Sequence, residues 1–328
     1  MIKSILNKIN FNLGFNPKIE KRSDWRRYVP EPYKSVLLIG ADFELAWAWQ
    51  YSKSAINNPE FASSKARQER KNIPILVHLC DNYSIPVTWA TVGHLFLESC
   101  DKSHQPHSQM IRPPYFENEF WRFSKGDWYQ NDPCANFLNA PEWYCPDLIK
   151  LILNAKVMHE IGCHTFSHID CRDVVCSKEL LKCELDACIR IAKGWNIELK
   201  SFVHPGYTIG NLDTLSNEGF TNFRTNNRNV LTYPKKHKNN LWEFEQTTEF
   251  VYRPDWSIDY HIYRYKKIID RAIKSNTLCY FWFHPSMDSI LAEEILPSIF
   301  EYINHCRDQI FVTTHNEYVE WLEKNETH

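Results

Sequence analysis

Nowhere in the 328 residues do 18 or so apolar side chains follow one another, the length a membrane-spanning helix needs, so stable membrane insertion is not expected. The chain has no surplus of positive charge either: 38 Lys and Arg face 40 Asp and Glu, a formal net charge of −2. Without a basic excess to displace counterions from a polyphosphate, nucleic acid is not an expected partner. Its eleven cysteines, scattered from Cys80 to Cys306, lack a compact paired spacing. A chain this long does not need disulfide staples, so they read as reduced thiols and the compartment as cytoplasmic. The opening residues MIKSILNKIN interrupt their apolar positions too often for a secretory h-region. Residues 1–34 read as an N-terminal extension, frayed or, over residues 1–20, weakly amphipathic and helical. Neither an internal repeat nor a low-complexity tract is present.

What is there is ordinary globular material, 43% hydrophobic and 24% charged. Twelve Trp, sixteen Tyr and nineteen Phe provide a large core and flat rings that stack on sugars. Short runs rich in β-branched and aromatic residues alternate with helical stretches. Strands are expected at 35–42, 86–92, 159–164, 201–204, 220–225, 278–283 and 309–313. Helices are expected over 59–83 (broken near Pro74), 177–195, 260–275, 291–306 and 315–323. That alternation predicts an α/β fold with a parallel sheet buried on both faces, and seven units favour a barrel over an open sheet. In either architecture the site lies beyond the carboxyl ends of the strands. Two stretches break the pattern, an aromatic, Pro-rich segment at 101–145 and a polar one at 226–252, both read as lids or binding walls.

Chemistry-bearing residues fall at those strand ends. Asp42 and Glu44 close the first strand, and side chains two apart on a strand face one side. Two such carboxylates repel less when one binds a cation and the other stays free as a base. His164 and His168 are four apart, able on a helical first turn to grip one ion. Fourteen histidines give roughly 0.6 such pairs by chance, so it is the position after a short strand that lends the pair weight. His284 follows the run CYFWF, and the segment FVHPGY shows His204 and Tyr207 at the same rim. Cys171, Cys176, Cys183 and Cys188 have gaps of five, seven and five and fit no zinc pairing, so they read as helix-core thiols. Jointly, two His and a carboxylate make a usual catalytic zinc set, with a second carboxylate and a distal His as base and acid.

On these motifs the chain resembles the polysaccharide deacetylases, the NodB-homology group of carbohydrate esterase family 4, from about residue 35 to 320. The family's Thr-Phe-Asp-Asp motif resembles Ala41-Asp42-Phe43-Glu44, and its His-Ser/Thr-x-x-His motif is matched by His164-Thr165-Phe166-Ser167-His168. Its Arg-Pro-Pro-Tyr motif resembles His204-Pro205-Gly206-Tyr207, and its late His motif Phe283-His284-Pro285. The phrase Ile85-Pro-Val-Thr-Trp-Ala90 is similar to the second-strand region. The resemblance implies a distorted (β/α)7 barrel over 35–325, as a single domain with 101–145 as a substrate-wall insertion. It implies a metal-dependent hydrolase that removes an N-acetyl or other small acyl group from an amino sugar or glycan; the cytoplasmic reading of the composition favours a precursor in surface-glycan biosynthesis. Asp42 is then the base, Glu44, His164 and His168 hold a divalent ion, most readily Zn²⁺, and His284 is the acid. Tyr207 helps hold the oxyanion through its backbone. His204 stands where the family has an Arg, so either Arg224 substitutes or the base is tuned differently. Asp255 and Asp259 are candidates to orient His284. Trp47, with Trp49, Trp128, Trp143 and Tyr115, is expected on the sugar-binding rim. Rival readings are a deformylase of the same fold, a metal-dependent glycosyltransferase, and an inactive carbohydrate-binding relative.

Overall fold

Nine consecutive buried residues, Ser35–Phe43, form the central strand β1. A strand flanked on both sides by parallel neighbours and covered on both faces has no reason to alternate polarity. The computed structural model of the chain describes residues 5, 6, 9, 11, 16–56, 58, 60–100, 107–225 and 229–326. Most of the amphipathic N-terminal stretch, the first residues of the insertion (101–106) and residues 226–228 of the polar segment therefore lie outside the described residues.

From β1 the parallel sheet runs through β2 (Thr88–Thr91), β3 (Glu160–Cys163), β4 (Ser201–Val203) and β5 (Asn222–Thr225) to β6 (Trp242–Glu245). On its other side β1 pairs with β8 (Leu278–Phe283), which pairs with β7 (Thr248–Glu249). Strands β6 and β7 are two halves of one extended run. The first half pairs with β5; the second pairs with β8, where the Thr247 N–H donates to the Tyr280 carbonyl at 2.8 Å. The sheet thus curls round on itself as a distorted barrel with seven strand positions. The last strand, β9 (Ile310–Thr313), stands off this path and pairs with the first half of β1.

The sequence reading counts seven strands but takes β9 for one of the ring and 226–252 for a polar wall. The threonines of the run 242–249 are buried and partnered: Arg264 Nη2 donates to Thr248 Oγ1 at 2.7 Å, and the Tyr280 N–H to Thr247 Oγ1 at 3.0 Å. Helix α1 (Phe61–Tyr83) runs unbroken through Pro74, contrary to expectation. Pro74 is exposed, so the carbonyl it frees one turn earlier is on the side that water can reach. Helices α2 (Pro146–Leu153), α3 (Lys178–Gly194), α4 (Ile258–Ser275), α5 (Leu296–His305) and α6 (His315–Glu326) complete the cover. Ser177 caps α3 by accepting from the Leu180 N–H at 3.1 Å.

The insertion sends Met110, Phe116, Trp121, Phe123, Trp128 and Tyr129 into the same continuous core as the barrel strands. Cys171, Cys176 and Cys188 are buried there too, and no disulfide joins any of the described cysteines. No helix among the described residues is long and apolar enough to cross a membrane.

Candidate active site and metal centre

Strand β1 ends at Phe43, and the chain turns sharply at Leu45 (φ 48°), leaving Glu44 at the rim. Its turn is held from below: Glu69 on α1 accepts the N–H of Glu44 at 3.0 Å and of Leu45 at 3.2 Å. Glu44 Oε1 lies 2.9 Å from His164 Nε2 and 3.2 Å from His168 Nε2. The other nitrogen of His164, Nδ1, faces the Val203 carbonyl at 2.7 Å, an acceptor, so Nδ1 carries the proton. The Nε2 lone pair then points at a carboxylate oxygen in a buried setting, a repulsion that a cation between the two converts into attraction. The three ligand atoms lie within 4.8 Å of one another, and the donor set fits a divalent ion.

The segment His164–His168 is a loop, not the helical turn expected from its spacing. Thr165 (φ 61°) and His168 (φ 62°) are left-handed, a conformation that β-branched residues resist. Three anchors hold it. The Gly93 and His94 N–H groups donate to the Thr165 and Phe166 carbonyls, each at 2.9 Å. Buried Glu184 on α3 accepts the Ser167 N–H at 2.8 Å and its hydroxyl at 2.9 Å. Burial, partly opposed by those donors, raises the Glu184 pKa.

Asp42, 3% exposed, is gripped by both Arg224 nitrogens at 2.6 and 2.5 Å. The guanidinium in turn lies 4.7 Å over the Trp282 ring. Of the two possibilities left open, the one realised is Arg224 from β5 as partner of Asp42. His204 turns away, buried, with Nε2 3.1 Å from the Gly210 carbonyl; burial pushes its pKa down to about 4. It does not line the cavity, which corrects its assignment to the substrate site. Tyr207 does, at the end of a turn whose Gly206 (φ 51°) lies flat under Trp121: a Cβ there would sit 2.3 Å from the indole.

His284 stands opposite, its Nε2 3.8 Å from Glu44 Oε2 and its Nδ1 3.3 Å from Glu249 Oε1. Among the described residues the carboxylate on Nδ1 is Glu249 of β7, not Asp255 or Asp259. Burial opposes its protonation, but Glu44, Glu249 and Asp42 outweigh it and push the imidazole up to about 9. Asn72 on α1 steadies the turn beyond, donating to the Pro285 and Met287 carbonyls at 2.8 Å each.

Asp42, Glu44, His168 and His284 open into one cavity of about 290 Å³, walled by Trp49, Phe120, Trp121 and Trp282. Trp47 does not belong to it: the ring is 1% exposed, packed against His94, with its N–H donating to the Trp143 carbonyl at 3.2 Å. Alternation explains this, because the short helix Ala46–Trp49 turns Trp47 into the core and Trp49 outward. Trp128 is likewise core, donating to the Ser167 carbonyl at 3.2 Å, and neither Trp143 nor Tyr115 lines the cavity. The wall residues missed in the sequence, Phe120, Trp121 and Trp282, carried no local signal. Glu69 and Glu184 did carry one, as acids on the apolar stripes of α1 and α3.

No family model matches the sequence, and no curated protein matches it. Solved structures do match. One is a Mycobacterium smegmatis protein assigned as a polysaccharide deacetylase, at 14% identity and TM-score 0.63, covering 90% of this chain and 93% of that one. Another is the Puue allantoinase, at 12% identity and TM-score 0.63, covering 92% and 94%. A third, from Pseudomonas aeruginosa PAO1 and assigned as a polysaccharide deacetylase, has 11% identity and TM-score 0.61 over 91% and 94%.

Proposed function

We propose that this chain, whose fold is shared with the polysaccharide deacetylase structures, hydrolyses the acyl amide of an amino sugar in a glycan or glycan precursor. The observation that carries the reading is the convergence at one cavity of a two-His, one-carboxylate clip, an Arg-clamped Asp and a half-buried His. A divalent ion, with zinc the natural choice for this donor set, supplies Lewis acidity when bound by Glu44, His164 and His168.

The chain's own groups do the rest. Arg224 occupies one lone-pair direction on each Asp42 oxygen and fixes the plane of the carboxylate; the remaining directions face the cavity and accept a proton from attacking water. His284, whose protonated form Glu249 and Asp42 favour, donates to the departing nitrogen, which leaves poorly unless protonated. Glu249 receives Nδ1–H and keeps Nε2 turned inward. The backbone N–H of Tyr207, a residue that lines the cavity, serves the developing oxyanion in this reading. Trp49, Phe120 and Trp121 offer faces on which a sugar ring stacks.

A glycosyltransferase would use the Asp42–Glu44 pair but has no task for His164, His168 and His284 gathered round Glu44. The reading of the cysteines as reduced, cytoplasmic thiols favours a nucleotide- or carrier-linked precursor as substrate. The test is acetate release from free, nucleotide-linked and oligomeric N-acetylhexosamines by the metal-loaded chain, with N-formyl sugars and allantoin in parallel. Chelator-sensitive acetate release is expected. Formate release alone would move the reading to a deformylase, and turnover of allantoin alone would refute the sugar substrate. No hydrolysis together with retained sugar binding would leave an inactive carbohydrate-binding relative.

A further inference from the structure

A second set of ligand-type atoms gathers outside this cavity. His94 follows β2 in the short helix Gly93–Phe96; Cys100, His107 and Asp132 come from the insertion and its approach. His94 Nε2 lies 3.1 Å from His107 Nε2, 3.0 Å from Asp132 Oδ2 and 3.2 Å from Cys100 Sγ. His107 Nε2 lies 2.8 Å from Asp132 Oδ2 and 3.3 Å from Cys100 Sγ.

Hydrogens cannot satisfy these five approaches. His94 Nδ1 faces the Trp143 carbonyl at 3.3 Å, so in the neutral ring the proton is there and Nε2 is a bare lone pair. His107 Nε2 and Cys100 Sγ bring at most one hydrogen each, and the carboxylate brings none. Two hydrogens leave three of the five approaches as lone pair against lone pair. A cation at the centre turns all of them favourable. Zinc bonds of about 2.05 Å to nitrogen and about 2.3 Å to sulfur set tetrahedral edges of about 3.3–3.6 Å, so an ion needs the four groups to move apart by only a few tenths of an ångström.

We propose that His94, Cys100, His107 and Asp132 form a second, structural zinc site that staples the insertion to the barrel rim. Thiolate and carboxylate neutralise the dication with two neutral imidazoles, so the buried complex carries no net charge. The surroundings direct His94 and Asp132 inward. Asp132 Oδ1 is taken by the Tyr144 hydroxyl at 2.5 Å and the Cys134 N–H at 3.0 Å, which leaves Oδ2 for the centre. Four protein ligands leave no position for water, the mark of a structural rather than a catalytic zinc. The set shares no ligand with Glu44, His164 and His168, so the proposal stands or falls apart from the hydrolase reading.

Metal analysis of the full chain should find two zinc ions per molecule. Cys100→Ala combined with His107→Ala should lower this to one, and Glu44→Gln combined with His168→Ala should lower it to one by removing the other ion. Where the first variant does not fold, the cobalt-substituted wild-type chain decides. A thiolate-to-cobalt charge-transfer band is expected, which the sulfur-free Glu44 set cannot produce. Its absence from the wild type, or its persistence in Cys100→Ser, would overturn the site. So would a single zinc ion that the Glu44 and His168 substitutions remove.

Discussion

The two clusters of ligand-type residues differ in what surrounds them. Glu44 and His168 line the cavity with Asp42 and His284 beside them and His164 buried behind; His94, Cys100, His107 and Asp132 lie outside it, packed against Trp47, Tyr129, Tyr144 and Phe166. Three protein ligands and an open side suit chemistry, whereas four ligands including a thiolate suit architecture. They also touch through the backbone, since the His94 N–H donates to the Phe166 carbonyl in the loop that carries His164 and His168. The closed cluster thus supports the open one, and a zinc-type donor set acquires its role from what is left beside it.

The largest expected difference between them is in turnover. Asp42→Asn should lower kcat by about 10²–10⁴-fold, since an amide cannot take the proton from water, while metal content stays unchanged. Loss of metal from that variant would mean that Asp42, not Glu44, is the ligand.

Next is the support of the loop. Glu184→Ala leaves the Ser167 N–H and hydroxyl without their acceptor, while the Tyr129 hydroxyl keeps Ser167 Oγ at 3.2 Å. Each buried donor so stranded costs about 1–3 kcal/mol, read as a drop in the denaturant midpoint. Metal should be lost from the open centre before the closed cluster. Equal loss from both would show that the two are not separable.

A smaller effect belongs to pH. His284 acts as an acid only while protonated, and its raised pKa keeps that form up to about pH 9 when no cation offsets Glu44. Activity should therefore be present below the pKa and fall as pH rises through it, by roughly tenfold per unit. With Glu44 engaged by a metal the limb should lie between the ordinary histidine value and about 9. His284→Asn should abolish the limb, and a limb that survives in it would assign the acid elsewhere. The closed cluster should show no counterpart in the kcat profile.

The smallest effect is in the wall. Gly206→Ala places a Cβ against Trp121 in a left-handed turn and should raise KM several-fold with kcat nearly unchanged. An equal fall in kcat would place Gly206 in the chemistry instead of the wall.

Legibility in the sequence followed locality. Buried parallel strands such as Ser35–Phe43 and Leu278–Phe283 announce themselves as apolar runs, and residues at their carboxyl ends inherit a shared rim from the topology. Asp42, Glu44, His164, His168 and His284 could therefore be named together. The run Trp242–Glu249 was not legible, because the groups that partner its buried Thr247 and Thr248, the Tyr280 N–H and Arg264, come from other elements of the fold. The choice of Arg224 over His204, and of Glu249 over Asp255 or Asp259, depended on which side chain the closed barrel turned inward. Sequence spacing has no access to that. The second cluster shows the limit most plainly. Its members are separated by 6, 7 and 25 residues, a spacing no short motif contains, and they meet because the insertion folds back onto the second strand's end. Strand ends and their chemistry are set by neighbours in the chain; which distant side chains complete a site is set by packing.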